Sequence, residues 1–590
     1  MPRCCACLPR PGAGPASGDP RAEVERMGAV PSRPVGGSPD AAFGLVHDEP
    51  GEAAGPYTAG RGVAIGEVTL HNRAALLADL AAAGAPAPPD CPDGELLLRI
   101  HDRFGTAGIR NAEGMFALAI VDGADLLLVR DHVGARTMFY ADAHGHRAAS
   151  TSLRALRRWP ALRTGLNLSA VRSFLTFAYV PGEETMLRGV REVPPGCRVR
   201  LPADGPARVE RYWEPEERID DTRSPREHAA RLRALLEEAT ARRLPPADPV
   251  AVLLSGGVDS SLVTALAAKL HDAPVDTYSI CFGRDLPNEL AYSGLVATHC
   301  GTPHRVLTVS GETVASRLPD TVARLANPVG DPLTVPNLLL AEAVAGDGHR
   351  VVLNGEGGDP IFGGPKNLPM LVHELHRDEP GLDARANAYL RSYRKCYTDL
   401  PTLLTPAVLA ELDTAPPPER FVAPYLRPDG PYGMGTLLNQ LLHCNLRTKG
   451  AYHILGKVER ITASQGLQGR APLFDRAVVD HAFTVPPRWK LAGTVEKWVL
   501  KEAVRDLLPE TVIDRPKSGM RVPVQQWLRG PLRDLAGDLL LGPRAQERGL
   551  IRGDTVRFWM RGDGSLLPRQ GGKLWLVLTL ELWLRSYDLG

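Results

Sequence analysis

The sequence predicts a two-domain protein in which a β-rich α+β domain precedes a parallel α/β domain with a helical carboxyl-terminal part. Residues 42 to about 212 alternate short apolar stretches with clusters of turn residues, as antiparallel β-structure does. Further along, apolar runs near 250–254, 275–280, 304–309 and 350–354 alternate with helical patterns. That alternation predicts a parallel doubly wound sheet.

The first 41 residues are rich in Pro, Gly, Ala and Arg and contain no hydrophobic segment of a secretory signal. We expect a disordered extension over residues 1–41, or a true start near Met27. The β-rich domain is expected over residues 42–213, with one helix at Arg73–Ala82.

A charged, proline-containing stretch, Glu214–Arg226, reads as the linker to a second domain at residues 227–590. The pattern is mostly helical from about residue 370. The longest apolar run, Leu574–Leu584, has 11 residues, which is too short to span a bilayer. It predicts a buried helix.

Composition narrows the partners and the compartment. The chain has 590 residues, enough for two to three domains with a large core. Its 69 basic and 68 acidic residues give a net charge of +1, so neither a nucleic-acid nor a membrane partner is indicated. Nine cysteines without paired spacing favour a reducing compartment over a disulfide framework or a zinc site, and we expect a cytoplasmic protein.

The first chemical motif follows the apolar run Val250–Leu254, where a Ser-Gly-Gly-Val-Asp-Ser-Ser turn enters an amphipathic helix. Glycines without Cβ atoms let successive N–H groups surround an anion, and the serine hydroxyls and helix N-terminus add to its binding. No Gly-Lys-Ser/Thr follows, so this is not a Walker loop. An ordinary glycine-rich strand-to-helix turn is the alternative. The residues expected to bind the pyrophosphate of ATP are Ser255, Gly256, Gly257, Asp259, Ser260 and Ser261.

A second glycine-rich loop lies in His349–Gly364, again after an apolar strand, and carries Glu356 and Asp359. Loops at the carboxyl ends of parallel strands meet at one mouth of the sheet. Asp259 and Asp359 would then hold one Mg²⁺ on the phosphates, leaving Glu356 for proton transfer. The glycines of this loop expected at the ATP site are Gly355 and Gly357.

The two loops together resemble the synthetase domain of the asparagine synthetase family, whose second motif usually reads Ser-Gly-Glu-Gly-Ser-Asp. Three later segments are also similar to family motifs: Lys457–Asp475, Glu496–Pro509 and Arg515-Pro-Lys-Ser-Gly followed by Val522-Pro. The resemblance covers roughly residues 60 to 590.

The resemblance implies that ATP adenylates a carboxylate, pyrophosphate leaves, and an amine attacks the acyl-adenylate to form an amide. It places the catalytic lysine at Lys497, with Arg515 and Lys517 as further cations for the charge on the phosphates. Glu356 matches the residue that takes the proton of the amine. The alternative for each cation is a solvated surface side chain, and for Glu356 a carboxylate that braces its loop.

Residues 61–140 resemble the N-terminal-nucleophile glutaminase domain of the same family. That enzyme needs a cysteine directly after the initiator Met, because its free amine activates the thiol. Position 2 here is Pro, and the nearby cysteines, Cys4, Cys5 and Cys7, are not exposed by Met removal. The family's Asn-Gly-Glu segment, whose Asn helps form the oxyanion hole, reads Ile65-Gly66-Glu67, and isoleucine donates no hydrogen bond. Asp93 alone matches a substrate-binding acid. We therefore expect no glutaminase activity; processing of the chain that exposes Cys4 or Cys5 as the first residue is the alternative.

Without glutamine-derived ammonia, the amine must be free ammonia or part of the substrate. Two branches of the family lack the cysteine, the β-lactam synthetases and the lasso-peptide macrolactam synthetases. The former have Tyr where Glu356 stands, so Glu356 favours the lasso type, in which a peptide's own N-terminal amine attacks its adenylated Asp or Glu side chain. Gln468 and Pro365-Lys366-Asn367 also depart from the family pattern and would alter the acyl pocket, although loop drift explains them equally well.

Three hypotheses follow for the function. The first is a macrolactam synthetase acting on a peptide carboxylate, with a precursor peptide and a leader peptidase as partners. The second is an asparagine synthetase or a related amidating enzyme for an amino-acid-type carboxylate that uses ammonia. The third is an inactive nucleotide- or peptide-binding scaffold, against which the intact Asp259, Asp359, Lys497 and Lys517 argue.

Overall fold

A computed structural model describes most of the chain. The described residues are 2–10, 19–31, 41–50, 55–60, 62–143, 145–162, 164–283, 289–364, 367–376, 382–393, 395–427, 430–516, 519–561 and 572–589. They form two compact units that are discontinuous in sequence, unlike the predicted bounds 42–213 and 227–590. The first unit comprises Met1–Asn167, Gly182–Glu214 and Val458–Gly466, and the second comprises Leu168–Pro181, Pro215–Lys457 and Leu467–Gly590.

The first unit is built on two antiparallel sheets. Its strands are β1 (Pro2–Pro9), β2 (Val30–Pro31), β3 (Ala42–Pro50), β4 (Tyr57–Ala59), β5 (Gly62–Leu70), β6 (Gly114–Asp122), β7 (Asp125–Arg130), β8 (Phe139–Ala143), β9 (His146–Ser150), β10 (Arg191–Glu192), β11 (Cys197–Leu201) and β12 (Arg208–Arg211). Its helices are α1 (Pro20–Arg26), α2 (Arg73–Ala82), α3 (Asp93–Asn111) and α4 (Leu153–Arg158). The predicted helix Arg73–Ala82 is confirmed as α2.

The strand orders are β10-β8-β9-β1-β3-β2 in one sheet and β12-β11-β7-β6-β5-β4 in the other. Apolar side chains from both sheets share one buried cluster, for example Cys4 and Ala6 of β1 with Val63 and Ile65 of β5. Their alternation along each strand, one residue in and the next out, is what allows two sheets to enclose a common core.

The amino-terminal strand corrects one prediction. The disordered extension expected over residues 1–41 is wrong for Pro2–Pro9, because β1 pairs with β3 on one side and β9 on the other. The turn-like composition of the segment concealed an alternating Cys-x-Ala-x-Leu pattern that faces the core. A chain starting at Met27 would lack this inner strand.

The second unit contains a five-stranded parallel sheet. Its strands are β13 (Val250–Leu253), β14 (Val275–Cys281), β15 (His304–Thr308), β16 (Val351–Leu353) and β17 (Gln468–Arg470), in the order β15-β14-β13-β16-β17. The connecting helices are α5 (Leu168–Phe177), α6 (Pro225–Ala241), α7 (Val258–Leu270), α8 (Leu290–Cys300), α9 (Gly311–Ala323), α10 (Thr334–Gly346) and α11 (Gly358–Phe362).

The four predicted strands of this sheet are confirmed, and β17 is an addition. The order runs outward from β13 to β15 and then returns to the other side of β13 with β16. Neighbouring β13 and β16 therefore flank the switch point of a doubly wound sheet, where such sheets bind ligands. Both glycine-rich loops begin there.

The remainder of the chain is mainly helical, as predicted. It contains α12 (Asn367–His376), α13 (Leu382–Ser392), α14 (Leu400–Leu403), α15 (Pro406–Leu412), α16 (Leu437–Asn445), a π-helix (Leu446–Leu455), α17 (Gly456–Ala463), α18 (Arg476–Ala482), α19 (Pro487–Lys490), the hairpin of β18 (Leu491–Ala492) and β19 (Val495–Glu496), α20 (Trp498–Ala503), α21 (Glu510–Ile513), α22 (Val524–Arg529), α23 (Arg533–Leu541), α24 (Pro543–Arg548), α25 (Gly553–Met560) and α26 (Lys573–Ser586). Helix α26 is buried from Leu574 to Leu584, which confirms that prediction. Among the described helices, none has the length and apolar character needed to cross a bilayer.

Candidate active site

The first loop is shaped by a glycine that no other residue could replace. Gly256 has φ +78°, and a Cβ there would lie 2.7 Å from the Ser293 nitrogen and 2.8 Å from the Tyr292 Cβ, both on α8. The left-handed backbone and the missing side chain let the loop turn tightly between β13 and α7.

The serines of this loop divide into two groups. Ser260 Oγ accepts the Ser255 N–H at 3.0 Å and lies 3.0 Å from Ser255 Oγ, which in turn accepts the Gly257 N–H at 3.3 Å. These two hydroxyls brace the loop; Ser255 is half-buried and Ser260 is buried. Ser261 is fully buried, so the predicted third donor does not reach the surface in this structure.

The second loop touches the first, as predicted. A Cβ on Gly355 would lie 2.4 Å from the Ser260 nitrogen, and one on Gly358 would lie 2.2 Å from Asp259 Oδ1. Gly357, with φ +117°, is the N-cap of α11. The glycines of this motif are therefore needed as much for contact between the loops as for approach to a ligand.

Lys497 joins the two acidic residues of the loops. Its Nζ lies 2.6 Å from Asp259 Oδ2 and 2.5 Å from Asp359 Oδ1. The lysine is fully buried, whereas the Asp359 side chain is 42% exposed, so the cluster reaches solvent on the Asp359 side. Lys497 follows the β18–β19 hairpin in a left-handed conformation, φ +56°, which is rare for a lysine and fixes where its side chain leaves the backbone.

The two carboxylates suit the predicted Mg²⁺. Both already converge on one cation, and Mg²⁺ typically takes one or two protein carboxylates and completes its shell with phosphate oxygens and water. In the described part of the chain no group of three or more His, Cys, Asp or Glu side chains forms a metal site, so an all-protein cage is not offered there. Asp259 and Asp359 would hold the ion, and Mg²⁺ would supply charge neutralisation on the phosphates.

Glu356 sits half-buried beside this pair, and its backbone N–H donates to Asn354 Oδ1 at 3.1 Å. Burial raises the pKa of the Glu356 carboxyl, and Asp359 adds to the rise, while Lys457 opposes it. A carboxylate with a raised pKa is a stronger base.

Sequence reasoning missed a second charged cluster near Glu356. Lys457 Nζ donates to Asp331 Oδ2 at 2.5 Å, and His453 Nε2 lies 3.6 Å from the same oxygen. Burial alone would raise the pKa of Asp331, but Lys457 outweighs it and holds that pKa well below its ordinary value. Burial lowers the pKa of His453, which stacks on Tyr179 at 5.5 Å between ring centroids, to about 4. The cluster therefore places an ammonium close to the predicted base.

Two sequence signals could have revealed this cluster. Lys457 opens one of the segments that resemble family motifs, but it was not assigned a role. Asp331 lies in a Gly-Asp-Pro turn directly before α10. The third residue, His453, has no such signal, because the π-helix that contains it is visible only in the structure; such helices often occur at functional sites.

Of the two further cations predicted to bind phosphate, the structure describes Arg515 but not Lys517. Arg515 pairs with Glu289 and stacks over the Tyr292 ring at 4.1 Å. It borders a small cleft lined by Gly257, Val258, Glu496, Lys497, Lys501, Val512, Ile513 and Arg515. Lys517 lies outside the described residues, as do Pro365 and Lys366. Gln468 Oε1 accepts hydrogen bonds from Arg470 on β17.

The amino-terminal cysteines of the first unit were predicted not to serve a glutaminase, and in the structure their thiols are buried. Cys4, Cys5 and Cys7 are at most 1% exposed, and burial raises the pKa of the Cys4 and Cys7 thiols. The Cys4 nitrogen is an internal amide that donates to Thr151 Oγ1 at 3.1 Å. Ile65 is fully buried in the core of the unit.

A buried ion-pair network occupies the strands around these residues. Arg3 Nη1 lies 3.1 Å from Glu67 Oε1 and 2.7 Å from Glu459 Oε1, and all three residues are almost fully buried. Asp93 accepts the Leu70 N–H at 2.8 Å and an Arg73 N–H at 2.6 Å. These carboxylates are therefore engaged in structural pairs.

Two family profiles match this chain, one in each half. The profile of the asparagine synthase family matches residues 231–585, which is more than half of the chain. The chain belongs to the asparagine synthase family. A glutamine amidotransferase domain profile matches residues 55–213. Members of the asparagine synthase family are ATP-dependent ligases that form amides and release AMP and pyrophosphate, and this chain is such a ligase.

Two relatives and one solved structure are similar to this chain to different extents. A putative glutamine-hydrolysing asparagine synthetase of Mycobacterium tuberculosis is 30% identical over 76% of this chain and 72% of its own length. A carboxyethyl-arginine β-lactam synthase of Streptomyces clavuligerus is also 30% identical, again over 76% and 72%. A solved glutamine phosphoribosylpyrophosphate amidotransferase of Bacillus subtilis is 11% identical, covering 52% of this chain and 90% of that one with a TM-score of 0.25.

Proposed function

We propose that this ligase is a macrolactam synthetase of the lasso-peptide type, which joins an Asp or Glu side chain of a peptide to the peptide's own N-terminal amine. One observation carries the proposal. The first unit offers no accessible amino-terminal nucleophile, while the second brings Asp259, Asp359, Lys497 and Glu356 together. A ligase that makes no ammonia from glutamine must take its amine from free ammonia or from the substrate itself, and the second source makes the reaction intramolecular.

The first half-reaction is adenylation of the side-chain carboxylate. Its oxygen attacks the α-phosphorus of ATP, and the bond to the β-phosphate breaks. Gly257, at the start of α7, lines the cleft that Arg515 also borders. Lys497 would meet the charge that builds on the α-phosphate, because its ammonium is held at the junction of both loops.

The second half-reaction requires removal of a proton from the amine. The amine nitrogen attacks the acyl carbon, AMP leaves with the bonding pair, and Glu356 accepts the proton. The raised pKa of Glu356 suits it to that acceptance. Both reacting groups belong to one molecule, so a bound, folded peptide presents the amine at a high effective concentration.

The similarity to a β-lactam synthase supports an intramolecular amine, since a β-lactam is itself an internal amide. The similarity to asparagine synthetases supports the second candidate, amidation of an amino-acid-type carboxylate by free ammonia. Glu356 is compatible with both candidates. The two differ in the source of the nitrogen, and a labelling experiment separates them.

The test supplies ATP, Mg²⁺ and linear peptides that have a free N-terminus and one internal Asp or Glu. We expect pyrophosphate release and a product lighter by one water, without incorporation of isotopically labelled ammonium. The matched control is the N-acetylated peptide, which should still release pyrophosphate but should not cyclise. A precursor peptide and a leader peptidase are the partners that this activity would require.

Incorporation of labelled nitrogen from ammonium into aspartate or a related acid, with no peptide turned over, would contradict the macrolactam proposal and support the second candidate. Absence of pyrophosphate release with every carboxylate would point to the inactive scaffold.

A further inference from the structure

The β18–β19 hairpin leads directly into Lys497. Its strands pair with Leu491 opposite Glu496, and Gly493, with φ +61°, opens the two-residue turn between them. Lys497 follows β19 at once, with φ +56°. A left-handed conformation in a residue other than glycine persists only where the surrounding structure holds it in place. The position of Lys497 therefore depends on what fixes the base of the hairpin.

Two tryptophans close that base. When the register of the hairpin is continued by one residue on each strand, Lys490 stands opposite Lys497. Continued by two residues, it sets Trp489 opposite Trp498. The indole rings agree with this pairing, since their centroids are 5.5 Å apart with 40° between the ring planes. Both lysines are fully buried, whereas the turn of the hairpin is exposed, so the fixed end of the hairpin is the end that carries the lysines.

Lys490 is bonded to a chain of polar side chains. Its Nζ donates to Asn439 Oδ1 at 2.7 Å and lies 4.7 Å from the centre of the Phe483 ring. Asn439 Nδ2 donates in turn to Glu217 Oε1 at 2.6 Å. The reversed orientation of the Asn439 amide would set its N–H groups against those of Lys490, so the order of the chain is fixed. Glu217 also accepts the N–H of Thr436, the N-cap of α16, at 3.1 Å.

We propose that Lys490 is a positioning residue for Lys497. Its bond to Asn439 fixes the base of the hairpin, and from that base the Lys497 ammonium reaches Asp259 and Asp359. The inference rests on the proposed catalytic role of Lys497, through which Lys490 acts. When the bond is lost, the base of the hairpin can shift. A displacement of about 1 Å at a group that stabilises charge can lower a rate about 100-fold.

The first readout is pyrophosphate release by the full chain with ATP, Mg²⁺ and a carboxylate that the wild type turns over. Rates are expressed per active site, counted by calorimetric titration with ATP. Lys490→Met keeps the length of the side chain but cannot donate to Asn439. We expect kcat to fall about 10- to 100-fold, because Lys497 no longer meets the developing charge, while KM for ATP changes less than about 3-fold.

The second readout is labelling of the Lys497 amine by acetic anhydride, followed by mass spectrometry. Exposed Lys269 is the internal standard. Lys497 should react slowly in the wild type, because it is buried and paired, and several-fold faster in Lys490→Met. The matched control is Arg548→Met, which removes another buried cation, the partner of Glu581. It should lower the thermal stability without changing kcat per active site or the labelling of Lys497.

The outcomes separate this inference from the proposed function. Wild-type kcat per active site, or unchanged labelling of Lys497, in folded Lys490→Met would overturn the positioning role. If Lys490→Met does not fold, Glu217→Ala decides, because it removes the partner that holds Asn439: faster labelling of Lys497 supports the role, and unchanged labelling contradicts it. If the wild type releases no pyrophosphate with any carboxylate, the proposed function is wrong, and the labelling, which needs no substrate, still decides whether Lys490 positions Lys497.

Discussion

At the scale of single residues, the site depends on charges that share partners. Lys497 bridges Asp259 and Asp359, so the position of each carboxylate depends on the same ammonium. Any substitution in this trio alters both the proposed Mg²⁺ site and the position of the predicted catalytic lysine. Kinetic effects of the three residues should therefore not be additive.

We predict that Asp259→Ala and Asp359→Ala each reduce pyrophosphate release more than about 100-fold, because the charge stabilisation supplied by the metal is worth several kcal/mol. Initial rates with ATP and a cognate carboxylate measure the effect. Glu342→Ala, which removes a partly buried surface partner of Arg317, is the control and should leave the rate unchanged. Near-normal rates in either aspartate variant would contradict a shared metal.

Glu356→Gln separates the two half-reactions. The amide keeps the shape of the side chain but cannot accept the proton, so we expect the acyl-adenylate to form and then accumulate. Lys497→Ala, in contrast, should yield little adenylate or amide even where nucleotide still binds. Rapid-quench analysis measures both species. Wild-type turnover by Glu356→Gln would show that this carboxylate only braces its loop.

The candidate site residues that could be predicted from the sequence are those that lie in contiguous motifs. Glu356, Asp359 and Asp259 could be predicted because each lies in a glycine-rich turn after an apolar strand. Asp331 and Lys457 are 126 positions apart and meet only through tertiary packing, so no spacing rule reveals the pair. The burial of Ser261 could not be predicted, because a sequence pattern does not show which side of a helix is buried.

At the scale of elements, strands with a strong apolar signal were predicted and weak ones were not. β13 and β14 are apolar runs between turn residues, and both are confirmed. β17 consists of Gln-Gly-Arg, which carries no β signal, and it is a strand only because β16 offers it hydrogen-bonding partners. The π-helix escaped prediction because an amphipathic pattern is read with a period of 3.6 residues.

Helix α19 contains a fully buried lysine that makes stability depend on pH. Lys490 Nζ donates to Asn439 Oδ1 at 2.7 Å and lies 4.7 Å from the centre of the Phe483 ring. Burial lowers the pKa of Lys490 to about 7, against a slight opposing effect of Glu217. Between pH 7 and its ordinary value near 10.4, the unfolded chain therefore holds a proton that the folded chain lacks.

The sign follows from proton counting. In that window Lys490 adds stability as pH rises, by about 1.4 kcal/mol per pH unit, and below pH 7 its penalty is constant. We predict that the stability difference between Lys490→Met and the wild type changes with pH with this slope, in favour of the wild type at higher pH. Denaturant unfolding of both proteins at several pH values from about 6 to about 9 measures this stability difference. A difference independent of pH would contradict the lowered pKa.

At the scale of the whole molecule, the first unit matches an amidotransferase domain profile, and among its described residues Cys4, Cys5 and Cys7 are buried. We predict no glutamine hydrolysis above background, and no change on Cys4→Ala or Cys5→Ala, because these thiols are buried and their amines are internal amides. Glutamate release in the presence and absence of ATP is the measurement. Hydrolysis that either cysteine substitution abolishes would overturn this view of the first unit.

The discontinuity of the first unit has a consequence for biosynthesis. The segment Val458–Gly466 belongs to that unit, and its Glu459 completes the charge pairing of Arg3. At roughly 5–20 residues per second, a ribosome releases this segment tens of seconds after the amino-terminal strand. Until then Arg3 has Glu67 but not Glu459 as a partner, so the two sheets form before this ion-pair network is complete. A fragment ending at residue 214 should accordingly show weak protection in amide hydrogen exchange along β1, whereas the complete chain should protect it strongly.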